Sequence, residues 1–320
     1  MQYRALGQSG LQVSALIFGC WQIGHAGEYG LTDADSIAAI RRALDLGINS
    51  FDTAGSYGDG ESERLLARAL QGVPRHEVVL CTKAEPCRFA DGSSRSSGDP
   101  AHLRAAIDHA LERLQTDYVD LFQIHWPDPD VSLGESWAAM VDIWQAGKAR
   151  AIGVSNYFSD QIEACTVAGP VHSLQPEYSL LEREAERDGT LAYCQATGIG
   201  VIAYSPLGRG LLTGKHDPAV PPVLPPGDYR AQMPHFQPGA YGRVAAFARR
   251  LGDLAAGSGH SAAELALAWV LHQPALSAAI VGARTPSQIA AHIPAVDWRL
   301  SPADLAAVAV LARAVSPERF

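Results

Sequence analysis

Residues 49–63 read NSFDTAGSYGDGESE. A short β-like run, Ile48–Phe51, ends in Asp52, and Tyr57 follows in a glycine-rich loop. The next stretch, ESERLLARAL, carries apolar residues at helical spacing. Strand, polar loop, helix is one β/α unit, with its polar groups where the strand hands over to the helix. Asp52 and Tyr57 are therefore either turn residues or half of a proton-transfer site, and the rest of the chain decides between the two.

The same alternation recurs outward from this stretch. LTDADSIAAIRRALDLG places Ile37, Ile40 and Leu44 on one helical face, with Thr32 or Asp33 as N-cap and Gly47 as the stop. DPAHLRAAIDHALERLQTD offers Asp99 as N-cap, Pro100 in the first turn, and Leu103, Ile107, Leu111 and Leu114 inward. Eight strand-like runs are separated by helical or longer connections: LIFGC, INSFDT, EVVLCTK, YVDLFQIH, RAIGVS, VHSLQPE, GVIAYSP and LSAAIVG. Near-continuous apolar strands belong to sheets covered on both faces. Eight β/α units favour a (β/α)8 TIM barrel, class α/β, spanning residues 1–320 as one domain, with an N-terminal β-hairpin and extra C-terminal helices. A doubly wound sheet would want GxGxxG after its first strand, and none is present. EREAERDGTLAYCQATG reads as one helical run, and Pro302–Ala314 as a final helix outside the barrel. Two connections are long, residues 84–99 and the proline-rich 206–239; both leave the C-terminal ends of strands, where barrel active sites lie.

Bulk composition narrows the partners. The 320 residues are 47% hydrophobic and 18% charged, ordinary for a globular protein with a large core. A net charge of −9 leaves no basic surplus for nucleic acid. The five scattered cysteines form no CxxC pair, which points to reduced thiols and a cytoplasmic setting rather than zinc or a disulfide framework. No HExxH appears, and no metal is expected. The first residues lack the apolar core of a secretory signal, and no apolar run of about 18 residues suggests a membrane span.

Polar residues at the strand ends carry the chemistry. Asp52, Lys83 and His125 end the second, third and fourth strands, and Tyr57 lies in the loop after the second. A barrel would bring all four to one mouth. Only three of the 25 basic residues are lysines, Lys83, Lys148 and Lys215, so a lysine closing the apolar run VVLCT stands out. Burying its charge demands a partner, and Asp52 on the neighbouring strand can be one. A nearby ammonium favours phenolate and would lower the pKa of Tyr57 toward working pH, where proton transfer is efficient. Neutral His125 would hydrogen-bond and orient a substrate oxygen. Taken singly, Asp52 could cap a turn, Tyr57 could pack half-buried, and His125 could be scaffolding.

FDTAGSYGDGESE, VVLCTKAE, LERLQTDYVDLFQIHWPDP and IGVSNY, with YRALGQSGLQVSALIFGCWQIG before and VGARTPSQI after, resemble the aldo-keto reductase superfamily over nearly the whole chain. That family's Asp, Tyr, Lys and His fall on Asp52, Tyr57, Lys83 and His125. The resemblance implies hydride transfer between a nicotinamide cofactor and a carbonyl or alcohol carbon, with Tyr57 as general acid. It further implies that Ser155, Asn156 and Gln175 hold the carboxamide and that Tyr204 stacks on the nicotinamide. Ser205, Pro206, Leu207, Gly208, Gly210 and Lys215 would wrap the pyrophosphate. At the adenosine end, Gly282, Arg284 and Gln288 lie in GARTPSQI, where Thr285 and Pro286 look like an N-cap and first turn; Arg284, helped by Arg230, suits a ribose 2′-phosphate. NADP(H) is thus favoured over NAD(H), although many NADPH-preferring members carry lysine at Gly282, arginine at Gln288 and Glu-Asn at Ala291 and His292. From the residues alone, Ser155 and Asn156 could equally cap a helix. Trp21, Trp126 and Phe89 are expected pocket walls for a small carbonyl or alcohol substrate. The alternatives are an NAD-dependent sugar or aldose dehydrogenase on the same site and a Schiff-base lyase using Lys83.

Overall fold

The computed structural model describes residues 1–84, 87–88, 94–95, 98–224, 228–313 and 315. Eight parallel strands close into a barrel: β1 (Leu16–Gly19), β2 (Ser50–Asp52), β3 (Val79–Lys83), β4 (Val119–Ile124), β5 (Ala149–Ser155), β6 (Ser173–Gln175), β7 (Gly200–Ala203) and β8 (Leu276–Gly282). Each strand neighbours its sequence successor, and β8 pairs with β1 to close the ring. These are the eight runs read from the sequence. An antiparallel hairpin, Tyr3–Ala5 with Gln12–Ser14, precedes the barrel.

Alternation along the strands builds two cores. Ile17, Val79, Cys81, Leu121, Ala151, Ile202, Ala278 and Ile280 cluster with the hairpin's Leu6, Leu11 and Val13, which plug the N-terminal end. The residues between them, such as Phe18, Phe51, Leu80, Phe122, Ile152 and Val281, pack into the larger cluster shared with the helices. Each fully buried side chain of this size contributes about 1.5–3 kcal/mol, so neither face of a strand tolerates charge without a partner. The two-residue period then dictates what faces the mouth. Two positions beyond inward Cys81 comes Lys83, two beyond Leu121 comes Gln123, and two beyond Ile202 comes Tyr204.

The helices start where the sequence says. Thr32 caps Asp33–Asp45 in a capping box with Asp35, and Gly47 follows with φ +82°. Asp99 accepts from the His102 amide at the head of Pro100–Leu114, with Pro100 in the first turn. Leu111 is only partly buried against the core its neighbours enter. Other details differ. EREAERDGTLAYCQATG splits into Glu184–Arg187 and Thr190–Thr197, because Gly189 takes φ +86° between them. Ala240–Ala256 is a further long helix, its period diluted by alanines, with Val244, Phe247 and Leu251 inward. The described residues of 206–239 include three short 3-10 turns, Gly208–Thr213, Tyr229–Gln232 and Pro234–Phe236. The last helix, Pro302–Arg313, packs Val308 and Ala312 into the cluster with Ala240–Ala256; Ala314 lies outside the described residues. Cys20, Cys81, Cys165 and Cys194 are buried free thiols. No described helix is long and apolar enough to cross a membrane.

Candidate active site

The C-terminal ends of the strands open into a cleft of ≈ 700 Å³. Beneath it the inward positions are polar instead of apolar, and they bind one another. Lys83 Nζ donates to Asp52 Oδ1 (2.9 Å), Asp52 Oδ2 (2.8 Å) and the Thr53 carbonyl (2.9 Å). Its remaining contact is with the Tyr57 hydroxyl, 3.3 Å away. Both charged residues are buried, Lys83 to 2% exposure and Asp52 to 3%. Asp52 is thus no turn cap; its Oδ1 also accepts from Gln175 Nε2 (2.8 Å), and that amide reaches Gln123 Oε1 (3.0 Å). Gln123 in turn donates to the Val154 carbonyl and Ser173 Oγ. Gly153 faces this layer, where a Cβ would stand 2.2 Å from Ser173 Oγ.

Backbone contacts position the phenol. Tyr57 N donates to Ala54 O, and Ser62 N to Tyr57 O. A Cβ on Gly24 would come within 2.6 Å of Tyr57 O, and Gly58, at φ +63°, lies against Gly24 O. Two glycines thus let the Tyr57 loop press on the turn after β1. The His125 ring stands edge-on to Tyr57 with centroids 6.0 Å apart.

Burial by itself would lower the Lys83 pKa, but the carboxylate of Asp52 and the phenol of Tyr57 more than offset it, and the amine is held above its ordinary range. The charged form of the amine is thus favoured, which works against a Schiff-base role for Lys83, since that needs a neutral amine. His125 is pushed down to about 3, by burial first and by the Lys83 ammonium second, so the imidazole is neutral, as expected. Tyr57 departs from expectation. Burial raises its pKa, and Lys83, though it pulls the other way, does not reverse the shift. The phenol therefore holds its proton throughout the neutral range.

The other sequence candidates gather along the same cleft. Ser155 and Asn156 are not helix caps: the next helix, Ser159–Thr166, begins after Phe158. Ser155 Oγ donates to Gln175 O (2.8 Å), and Asn156 Nδ2 to His125 O (3.0 Å). The Tyr204 hydroxyl donates to Asn156 Oδ1 (2.8 Å), tying β7 to the loop after β5. Asn156 (φ +62°), Ser205 (φ +52°), Arg209 (φ +56°) and Asp59 (φ +51°) hold left-handed backbone in the mouth loops; among the described non-glycine residues only Gln115 shares this away from them. Such strain concentrates at functional sites. Ser205, Pro206, Leu207 and Gly210 line the cleft, whereas Gly208 is buried behind it, where a Cβ would stand 2.7 Å from Leu181.

At the far end lie Lys215, Arg230, Gly282, Arg284 and Gln288. Arg230 is already held by Asp228, Nη2 to Oδ2 at 2.5 Å and Nε to Oδ1 at 3.0 Å. Arg284 has no carboxylate partner among the described residues; its guanidinium lies 5.0 Å over the Tyr29 ring. Lys215 likewise forms no described ion pair, and burial plus repulsion from Arg284 and Arg230 lowers its pKa. Gln288 Oε1 accepts from the Arg284 amide (2.7 Å), and Thr285 caps the short helix Pro286–Ala290.

Trp21 and the 49%-exposed Trp126 line the cleft; Phe89 lies outside the described residues. The sequence reading missed several neighbours. Trp21 stacks on His25 (4.6 Å) and meets Tyr229 edge-on (5.5 Å). Arg209, inside the expected phosphate loop, is instead bound through both terminal nitrogens to Glu177. Gln22 and His292 also line the cleft, with Gln22 Oε1, His292 Nδ1 and His125 Nδ1 buried and without a described partner. Only the singlet Gln123, in the strand YVDLFQIH, left a signal: a polar residue at an inward position.

A model of the Aldo/keto reductase family matches residues 15–313. The chain is 36% identical to the aldo-keto reductase YhdN of Bacillus subtilis (strain 168) over 306 residues, 95% of this chain and 91% of that one. It is similar in structure to the glycerol dehydrogenase AKR11B4 from Gluconobacter oxydans, with TM-score 0.89 and 32% identity over 99% of this chain and 97% of that one. The aldo-keto reductase AKR11C1 from Bacillus halodurans, in its holo form, matches with TM-score 0.80 and 28% identity, covering 100% of this chain and 99% of that one.

Proposed function

The chain belongs to the aldo/keto reductase family of oxidoreductases, and from that membership we propose that it transfers a hydride between NADP(H) and a small carbonyl or alcohol, with Tyr57 as the general acid. One observation carries this reading: the ammonium of Lys83, fixed by both oxygens of Asp52, spends its last contact on the phenol at the floor of an open cleft. The cleft also fits the cofactor. Its far end carries two cations, Lys215 and Arg284, without carboxylate partners among the described residues, and buried polar atoms there have no partner among those residues either.

In this reading Lys215 and Arg284 hold phosphate, while Asn156, Gln175 and Ser155 face the carboxamide and Tyr204 the ring. A bound nicotinamide supplies or accepts the hydride. Tyr57 keeps its proton at Oη and gives it to the carbonyl oxygen of the substrate as that oxygen becomes an alcohol. The Lys83 ammonium, 3.3 Å away, stabilises the resulting phenolate, and Asp52 keeps that ammonium charged and aimed. Neutral His125 donates a hydrogen bond to the same substrate oxygen. Trp21 and Trp126 form the apolar walls. Alcohol oxidation runs the same residues in reverse. Arg284 favours the 2′-phosphate, hence NADP(H) before NAD(H).

The test is a fluorescence titration of the protein with NADPH and NADH separately, followed by turnover of aldehydes and polyols with the tighter cofactor. The expected result is tighter NADPH binding and multiple turnovers. Absence of binding by either cofactor would end the proposal.

A further inference from the structure

Gln22 lies in the short helix Trp21–Gly24 after β1 and reaches across the closing seam of the barrel to β8. A Cβ built on Gly282 would stand 3.2 Å from Gln22 Cδ and 3.2 Å from its Oε1, so a larger residue there would make this amide give by a few tenths of an ångström. Its Oε1 is buried with no described hydrogen-bond partner. Turning the amide over would bury the NH2 end in the same place, so either orientation leaves one end unspent. An unpaired buried polar group costs about 1–3 kcal/mol, an arrangement that makes sense if a ligand supplies the partner. A second observation at the same end agrees: His292 Nδ1 is also buried with no partner among the described residues, and Gly282, Arg284, Gln288 and His292 line the cleft.

The chemistry of the missing partner follows from what surrounds it. Anionic groups already have Lys215 and Arg284. A carbonyl oxygen in the same cleft calls instead for a neutral donor attached to the anion. We propose that Gln22 is a cofactor-binding residue, and that its Oε1 accepts a hydrogen bond from a ribose hydroxyl of the adenosine half of the dinucleotide. This rests on the dinucleotide reading above. It adds a neutral contact for which Gly282 leaves room, in a place where a lysine at 282 would press on the amide.

The test uses the full chain and calorimetric titration with 5′-AMP, 2′,5′-ADP and nicotinamide mononucleotide, none of which requires turnover. Gln22→Leu and Gln22→Met remove the acceptor while keeping apolar bulk, and urea unfolding of both apoproteins checks that they fold. Loss of one neutral hydrogen bond predicts about three- to tenfold weaker binding. A loss for both adenosine fragments assigns the 3′-hydroxyl, and a loss for 5′-AMP alone assigns the 2′-hydroxyl; either supports the proposal. Unchanged affinity for both, or weakening confined to nicotinamide mononucleotide, overturns it. If the unaltered protein binds none of the fragments and no dinucleotide, the dinucleotide reading itself fails, which is a separate outcome.

Discussion

The two ends of the barrel each bury a carboxylate among cations, and they use it in opposite ways. At the N-terminal end, Asp120 accepts from Arg75 Nη2 (2.7 Å), Arg150 Nη1 (2.9 Å) and the Leu80 amide (2.9 Å). Arg75 is spent in turn on the Val78 and Tyr118 carbonyls and Thr116 Oγ1, with its guanidinium 4.0 Å over the Tyr118 ring. Asp120 and Arg75 are thus spent on protein partners, and Arg150 turns the rest of its guanidinium to solvent. At the C-terminal end both Asp52 and Lys83 are buried, but their network ends on a phenol that opens to the cleft, beside polar atoms without partners among the described residues. A saturated ion cluster fixes a fold; an unsaturated one has capacity left for a ligand.

Substitutions at the two ends should separate cleanly. Lys83→Met removes the ammonium beside the phenol and should lower kcat about 10²- to 10⁴-fold. It also leaves Asp52 buried without its ion-pair partner, so Asp52→Asn combined with Lys83→Met should recover stability in urea but not activity. Recovered activity would erase the distinction between the two ends. Asp120→Ala should do the reverse, losing about 3 kcal/mol in urea unfolding while kcat/KM per folded molecule stays constant. A comparable loss of activity would show that the lower cluster is coupled to the mouth.

A smaller effect sharpens the reading of the open end. Arg284→Leu should weaken NADPH about tenfold to a hundredfold, the range for a charge-assisted hydrogen bond, and should weaken NADH less. Equal losses by equilibrium titration would take Arg284 away from the 2′-phosphate. The smallest effect is on pH. Burial pushes His292 down to about 4, against about 6.5 in an unfolded chain. Between those values the unfolded state binds the extra proton, so stability falls as pH falls through the window, by about 1 kcal/mol at pH 5.5. His292→Phe should flatten that slope in acid-side urea titrations.

The sequence revealed most where one rule governs a residue. Apolar runs marked all eight strands because both faces are buried, and the two-residue period carried Asp52, Lys83 and Gln175 to one inward layer. Thr32 and Asp99 were readable as caps because capping is local. What escaped depends on contacts distant in the chain. Arg209 lies in the glycine loop, and its bond to Glu177, 32 positions earlier, could not be read from the loop itself. The Trp21–Tyr229 contact joins loops after β1 and β7. For Tyr57 the difficulty was one of magnitude: the sequence supplied an ammonium to lower its pKa, but the burial that outweighs it is visible only in the fold.

The proton-donating role of Tyr57 is tested most directly by Tyr57→Phe, comparing kcat for NADPH-dependent aldehyde reduction with the equilibrium affinity for NADPH. Removing only the hydroxyl should lower kcat by about 10³-fold or more, within the range for general acid catalysis, while NADPH affinity changes by less than about twofold, far below the effect of a lost hydrogen bond to a charged group. Turnover retained within about tenfold of the unaltered enzyme, with cofactor binding intact, would contradict that role.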